Sequence, residues 1–130
     1  LNDIMFPGVF LYDMKIYFVG GYSVNINGKI KMNKNVYSLN LKSLGFVKEN
    51  FMLALKCAKP ACGIDGDKVF IVGGHDPKNG RTNTKGCVVN MTENSSKDLE
   101  PLSFELSEGY PAITSAGSPV FFSFPKFSFW

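Results

Sequence analysis

The stretch Asp67-Lys68-Val69-Phe70-Ile71-Val72-Gly73-Gly74 carries the strongest structural signal in the chain. It places four consecutive β-favouring apolar residues between the turn Asp65-Gly66 and a pair of glycines. A strand with one solvated face would alternate apolar and polar residues, and this strand does not. Both of its faces must therefore be covered by other parts of a protein.

The same phrase occurs earlier, as Met14-Lys15-Ile16-Tyr17-Phe18-Val19-Gly20-Gly21, and Ile16 precedes Val69 by 53 residues. A third, less complete copy is Ser118-Pro119-Val120-Phe121-Phe122-Ser123-Phe124, in which Val120 follows Val69 by 51 residues. Self-similarity at a fixed period is typical of repeat architectures. The chain is therefore expected to consist of structural units of about 50 residues.

The composition is that of a folded domain and not of a disordered segment. Hydrophobic residues make up 45% of the 130 residues, Phe alone occurs twelve times, and the formal net charge is +3. Thirteen Gly and seven Pro among short apolar runs favour strands and turns over helices. No run approaches the roughly 18 apolar residues that span a bilayer, so we expect no membrane insertion.

Cys57, Cys62 and Cys87 are an odd and sparse set of cysteines. They suit buried thiols in a reducing compartment better than a disulfide scaffold, and a Cys57–Cys62 bridge is the alternative. Because no secretory signal is evident, we expect a cytoplasmic or nuclear protein. The chain starts at Leu1 instead of Met, so we expect a processed protein or a fragment, and we favour a fragment.

Each of the first two units is predicted to form four short strands, with a polar loop after the second strand. In the first unit the predicted strands are residues 9–12, 15–20, 35–41 and 46–54, with the loop at 22–34. Residues 51–59 could alternatively be helical, with Phe51, Leu55 and Ala58 on one face. In the second unit the predicted strands are 61–64, 68–73, 86–92 and 99–106, with a loop at 75–85 and a charged turn at 93–98. A third unit begins with strands at 112–117 and 119–124.

Four-stranded sheets that are apolar on both faces must be sandwiched between other sheets, and radial packing about an axis achieves this. We therefore predict an all-β fold, a partial β-propeller of about two and a half four-stranded antiparallel blades. Residues 1–130 form one region, with blade one at 8–54, blade two at 60–106, the start of a third blade at 112–124 and an aromatic tail at 125–130. Further blades or another chain are needed to cover the open sheet faces and the apolar residues from Phe121 to Trp130.

These residues resemble the kelch repeat family, in which an apolar strand ends in Gly-Gly and a Tyr and then a Trp follow the next loop. Gly20-Gly21 and Tyr37 match that pattern in the first unit, and Gly73-Gly74 matches it in the second. Phe46 is the nearest large aromatic residue to the expected Trp, and a valine replaces the second Tyr. The resemblance runs over roughly residues 8 to 124 and implies kelch-like blades.

The resemblance also implies a non-catalytic protein-binding module, such as the substrate-recognition part of a ubiquitin-ligase adaptor, or a scaffold. One alternative is a fragment of a propeller enzyme, a sugar epimerase or an oxidase, whose site residues lie in other blades. Another is a structural element of a larger assembly that other chains complete.

No catalytic constellation and no metal site is evident in the sequence. His75 is the only histidine, whereas the copper-radical oxidase site of some similar propellers needs two His and two Tyr ligands. The cysteines lack paired zinc spacing, no Gly-x-Ser-x-Gly elbow occurs, and the glycine pairs lack the lysine of a phosphate loop. We therefore predict no catalytic residue, no metal and no cofactor.

Positive charge is concentrated in the two loops that follow the glycine pairs. The first loop carries a charge of +3, and the second, which includes Asp76, carries +2 on the same face of the predicted disc. We interpret this face as the contact surface for an acidic protein partner, the alternative being that polar loops are charged because they are solvated. Nucleic acid is not expected, because no aromatic residues are spaced to stack on bases. The predicted contact residues are Lys29, Lys31, Lys34, His75, Lys78, Arg81 and Lys85.

Overall fold

The computed structural model describes residues 3–99, 109–113 and 119–123, and for the last two ranges it describes only the strands. These residues form strands, turns and extended segments, with no helix among them, so the predicted all-β class is confirmed. Sheet one and its inserted hairpin comprise β1 (Gly8–Tyr12), β2 (Lys15–Val19), β3 (Tyr22–Val24), β4 (Ile30–Met32), β5 (Asn35–Asn40) and β6 (Phe46–Met52).

Sheet one is an antiparallel meander with the spatial order β1-β2-β5-β6. In its register, Ile16 of β2 lies opposite Leu11 of β1 on one side and opposite Leu39 of β5 on the other. β3 and β4 form a separate two-stranded hairpin, inserted between β2 and β5 directly after the Gly20-Gly21 pair. The first copy of the repeated phrase is thus an inner strand of a four-stranded sheet.

Sheet two repeats this architecture. Its strands and hairpin are β7 (Ala61–Asp65), β8 (Lys68–Val72), β9 (His75–Asp76), β10 (Arg81–Thr82), β11 (Gly86–Asn90) and β12 (Ser95–Asp98). The spatial order is β7-β8-β11-β12, again antiparallel throughout. Two further strands, β13 (Gly109–Ile113) and β14 (Pro119–Ser123), pair with each other.

The first strands of the three units are neighbours. β7 contacts both β1 and β13, and the fourth strands β6 and β12 also contact each other. The two copies of the repeated phrase, β2 and β8, belong to different sheets. Sheets that meet face to face with their first strands adjacent form a partial β-propeller, as predicted, and the described residues do not close a ring.

The two sheets enclose one apolar core. Phe10 and Tyr17 stack within it, with their ring centroids 5.0 Å apart and their planes inclined by 9°. Because each fully buried aliphatic or aromatic side chain contributes about 1.5–3 kcal/mol, this core is the main source of cohesion between the blades. Its buried members from the first unit include Phe10, Tyr17, Val19, Val36 and Phe51, and those from the second include Val69, Ile71, Cys87, Val89 and Met91.

The crossover segment, residues 53–60, joins β6 to β7 and runs extended between the sheets. Its side chains alternate in burial over residues 53–57. Leu53, Leu55 and Cys57 belong to the core between the sheets, whereas Ala54 and Lys56 are exposed. One side of the segment therefore packs in the core, and the other side faces the solvent.

Both glycine pairs lie directly against this crossover segment. The Gly21 amide donates a hydrogen bond of 2.7 Å to the Cys57 carbonyl. A Cβ atom on Gly20 would lie 2.6 Å from the same carbonyl oxygen, and one on Gly74 would collide with the Ala58 carbonyl oxygen. Gly20 and Gly74 also have φ angles of 69° and 82°, which L-residues rarely adopt. The repeated glycines are thus required by backbone contact and by conformation together.

One asparagine in each unit ties the hairpin back to its glycine pair. The Asn33 side-chain amide donates to the Gly20 carbonyl at 2.8 Å, and that of Asn83 donates to the Gly73 carbonyl at 3.3 Å. Each asparagine also accepts a hydrogen bond of 3.0 Å from the backbone amide two residues further on. These two residues are a second repeated motif, which the sequence analysis did not single out.

The predicted polar loops at 22–34 and 75–85 are corrected, because each contains a short β-hairpin. In the first, the Asn25 side-chain oxygen accepts from two later backbone amides at 2.9 Å, and Gly28 takes a φ of 77°. In the second, the Asp76 carboxylate accepts from one backbone amide at 2.9 Å. Such side-chain-to-backbone bonds close tight turns in segments that lack any apolar periodicity.

The fourth strand of sheet two begins earlier than expected. The prediction of a charged turn over 93–98 is wrong, because β12 occupies its last four residues. The chain has already reversed at Asn94, since the Asn90 side chain accepts from two following amides at 3.0 Å and Asn94 adopts a φ of 52°. Most of the predicted strand at 99–106 lies outside the described residues.

Three smaller points refine the predicted elements. The helical alternative at 51–59 is not formed, because the Leu53 amide donates to the Lys34 carbonyl at 2.9 Å and the segment stays extended. Asp65 pairs with Lys68, so the turn between β7 and β8 is residues 66–67. β13 starts three residues before the strand predicted at 112–117, whose last four residues lie outside the described ranges.

Replacing Gly74 by Ala tests whether the crossover contact organises the fold. Gly28 has a similar φ of 77° but open space around its missing Cβ, so Gly28→Ala isolates the conformational cost. We expect Gly28→Ala to lower the free energy of unfolding by about 1 kcal/mol and Gly74→Ala to lower it by about 3 kcal/mol or more. Urea unfolding followed by circular dichroism measures both. Equal losses of unfolding free energy in the two variants would show that the close approach of Gly74 to the crossover segment does not organise the fold.

The three cysteines are free thiols at the interface of the sheets, and the Cys57–Cys62 bridge is not formed. Burial, followed by the nearby Cys87 thiol, raises the pKa of Cys57 and raises that of Cys62 to about 12. Burial likewise raises the pKa of Cys87 to about 11, although a hydrogen bond with the Ser96 side chain opposes the shift. The folded state therefore holds all three as neutral thiols.

Stability should fall at alkaline pH for this reason. The thiols of the unfolded chain ionise near pH 8.5, whereas the folded chain keeps Cys87 protonated up to about pH 11. The contribution of the neutral thiols to the free energy of unfolding is therefore fully present below pH 8.5 and is lost as the pH rises towards 11. At pH 10 each buried thiol should lower the free energy of unfolding by about 2 kcal/mol. Urea unfolding under reducing conditions at pH 7 and pH 10 measures the loss, and Cys87→Ala should make it smaller. An identical loss in that variant would argue against Cys87 as a source of the lower stability at pH 10.

Candidate functional site

Two clefts lie on the side of the molecule where the hairpins leave the sheets. The hairpin cleft, with a volume of about 890 Å³, lies between β4 and the turn of the second hairpin. Four lysines from three separate segments line it. They are Lys31 and Lys34 of the first unit, Lys56 of the crossover segment and Lys78 of the second hairpin, together with Asp3 and Asp76.

The side cleft, with a volume of about 780 Å³, adjoins the hairpin cleft. The two clefts have Lys56 and Asp76 in common. The side cleft adds Arg81, Lys85 and Asp98, and its apolar wall includes Leu55 and Leu99. Six cations and three carboxylates therefore line the two clefts together, so their combined surface is positive.

The six cations of these clefts are not neutralised by the fold. Their side chains are exposed, and none makes an ion pair or a hydrogen bond with another described residue. Lys15 and Glu49, by contrast, form an ion pair of 3.9 Å in sheet one, and neither of them lines a cleft. The positive charge of the clefts is therefore available to an incoming anion.

Five of the seven predicted contact residues line these clefts. Lys31, Lys34 and Lys78 lie in the hairpin cleft, and the other two are in the side cleft. Lys29 lies elsewhere, in a shallow depression at the tip of the first hairpin. His75 lines none of the three, and its backbone pairs with that of Ala58 through two hydrogen bonds of 2.9 Å.

Lys56 is the residue that sequence reasoning missed. It is central to both clefts, although it belongs to neither polar loop. The alternation of apolar and polar residues from Leu53 to Cys57 could have indicated it, since an extended segment with that pattern exposes Lys56. The helical alternative for the same residues obscured that signal.

The predicted structural residues take up positions around the clefts. The pairs Gly20-Gly21 and Gly73-Gly74 hold the starts of the two hairpins against the crossover segment. Tyr37 lines the hairpin cleft and stacks on Phe46, with ring centroids 5.8 Å apart and planes inclined by 9°. Of the predicted structural residues, Tyr37 lines the hairpin cleft, and the glycine pairs line neither cleft.

The chemistry of the clefts is that of ionic recognition. Lysine and arginine side chains offer hydrogen-bond donors to carboxylates or phosphates, and no nucleophile paired with a base lines either cleft. Over residues 3–99, no group of three His, Cys, Asp or Glu side chains is arranged to hold a metal ion. Within the described residues there is no helix of the length and apolar character needed to cross a membrane.

The fold is shared with known structures, whereas the sequence is not similar to known families. No protein-family model matches the chain, and no curated protein sequence matches it. Among solved structures, YjhT is similar, with a TM-score of 0.68 at 11% sequence identity over 83% of this chain. The chain spans 40% of the length of YjhT. This likeness shows the fold alone.

Proposed function

We propose that the chain is a kelch-type protein-binding module that recognises an acidic segment of another protein through the hairpin cleft and the side cleft. The observation that carries this proposal is the set of six exposed cations, without partners among the described residues, that line two joined clefts. Lys56 lies where the clefts meet, so a single extended segment can contact both.

Electrostatic complementarity supports an acidic partner in particular. Uncompensated lysines attract carboxylates over a distance, which speeds encounter more than it strengthens the final complex. Asp76, in the middle of the surface, would orient such a segment by repelling its acidic groups from one point. The half-buried Leu99 side chain in the wall of the side cleft offers an apolar contact to a neighbouring side chain of the partner.

The kelch assignment is supported by what repeats between the units. The Gly-Gly pair recurs after β2 and β8, and an asparagine bonded to that pair recurs in each hairpin. By that resemblance, the module would serve in the cytoplasm or nucleus as the substrate-recognition part of an adaptor or as a scaffold. Three reduced, buried thiols are consistent with such a compartment.

Charge reversal in the clefts tests the proposal. A fluorescent acidic peptide, such as a Glu- and Asp-rich 12-residue probe, should bind in a salt-dependent manner. The triple variant Lys31→Glu, Lys56→Glu and Lys78→Glu should weaken that binding roughly tenfold or more, because three favourable contacts become repulsive. Fluorescence anisotropy at two salt concentrations measures the change.

A matched control carries the same change in net charge elsewhere. Lys42, Lys68 and Lys97 are exposed and line neither cleft, so the triple Lys42→Glu, Lys68→Glu and Lys97→Glu should bind the probe nearly as tightly as the unmodified chain. If both triples lose affinity equally, net charge and not the clefts attracts the probe, and the proposed site is wrong.

A further inference from the structure

The second strand of the first hairpin, β4, has one edge whose backbone groups bond to no described residue. Among the described residues β4 pairs with β3 alone, with Lys31 opposite Ser23 and Ile30 opposite Val24. We call the backbone edge of β4 that points away from β3 the outer edge. The groups that lie on it follow from the alternation of hydrogen bonds in an antiparallel pair of strands.

The outer edge carries the N–H and C=O groups of Ile30 and Met32. Tyr22 lies opposite Met32, and its backbone exchanges hydrogen bonds of 2.7 and 3.1 Å with Met5 instead. Tyr22 and Met32 are therefore a non-hydrogen-bonded pair, so the backbone groups of Met32 point away from β3. Those of Ile30, two residues earlier, point the same way, and neither backbone forms a hydrogen bond with a described residue.

A strand placed on the outer edge would continue the line of β6. β6 runs beside β5 as far as the pairing of Met52 with Asn35. The Leu53 amide then donates to the Lys34 carbonyl at 2.9 Å, after which the chain departs into the crossover segment. Since Lys34 links β4 to β5, the edge that β6 covers along β5 is left without a described partner along β4.

The outer edge borders the hairpin cleft. Residues 30–35 all line the cleft, although neighbouring side chains of a strand point to opposite faces. A cleft that is lined by residues of both faces lies along the edge of the strand. The lysines that surround the same space are Lys31, Lys34, Lys56 and Lys78.

The first strand of each hairpin already bonds to an extended segment in this manner. Met5 pairs with Tyr22 on the side of β3 away from β4, through two backbone hydrogen bonds. Ala58 pairs with His75 of β9 in the same way. The hairpins of this fold therefore accept extended segments on their outer sides.

We propose that the acidic segment binds by strand addition, as a third strand of the first hairpin on the outer edge of β4. This rests on the proposed function and specifies the bound conformation. In an antiparallel arrangement, two residues of the segment exchange hydrogen bonds with Ile30 and Met32, and the residue between them lies opposite Lys31. An acidic side chain there pairs with Lys31 across the strands, and further acidic side chains meet the other lysines of the cleft.

Charge selects the occupant of the outer edge. Backbone hydrogen bonds accept any extended sequence, so the preference among sequences comes from side-chain contacts. Four lysines against Asp3 and Asp76 leave the hairpin cleft positive. An acidic segment is therefore favoured, and a basic one is repelled.

N-methylation of the acidic probe tests strand addition without altering the protein. An N-methyl group replaces the N–H donor and blocks that edge of an extended peptide. One probe carries N-methyl groups on every second residue, which leaves one edge intact. The other carries the same number on alternate pairs of neighbouring residues, which leaves neither edge with two successive donors. In fluorescence anisotropy, we expect the first probe to bind like the unmethylated one and the second to bind roughly tenfold more weakly.

The three probes distinguish the binding mode from the proposed function. Equal affinities of the two methylated probes would overturn strand addition, while binding of the unmethylated probe would still support recognition of an acidic segment. No binding of the unmethylated probe would overturn the proposed function and strand addition with it.

A proline variant tests the outer edge from the side of the protein. Met32→Pro removes an N–H group that points into the cleft and keeps the hydrogen bonds between β3 and β4, and Lys31 already has the extended conformation that a following proline requires. Met32→Leu keeps the N–H group and is the matched control. We expect Met32→Pro to weaken binding of the unmethylated probe several-fold and Met32→Leu to leave it unchanged. Equal binding by two variants with unchanged urea midpoints would overturn the proposal, and the methylated probes decide it if proline lowers the midpoint.

Discussion

The close approach of the crossover segment to the two glycine pairs is the constraint on which the rest of the structure depends. Gly20 and Gly74 belong to different units, yet each faces a carbonyl of the neighbouring residues Cys57 and Ala58. Any side chain at either glycine would push the segment away and separate the sheets. One extended segment thereby sets the spacing of both blades, and the apolar core fills the space that this spacing leaves.

The same segment also explains why the charged clefts form where they do. Because its side chains alternate, burial of Leu55 and Cys57 in the core directs Lys56 outwards. The glycine pairs start both hairpins beside the segment, which brings Lys31 and Lys78 into the same cleft as Lys56. Core packing and surface charge are therefore consequences of one backbone path.

The sequence was sufficient to predict the sheets but not the hairpins or the centre of the clefts. β2 and β8 were predictable because a continuous apolar run that ends in Gly-Gly fits few structures other than a strand covered on both faces. The hairpins depend on bonds from Asn25 and Asp76 to the backbone, which leave no periodic pattern. The exposed position of Lys56 in the clefts depends on the path of the crossover segment. That path is held by hydrogen bonds between units and not by local conformational preference.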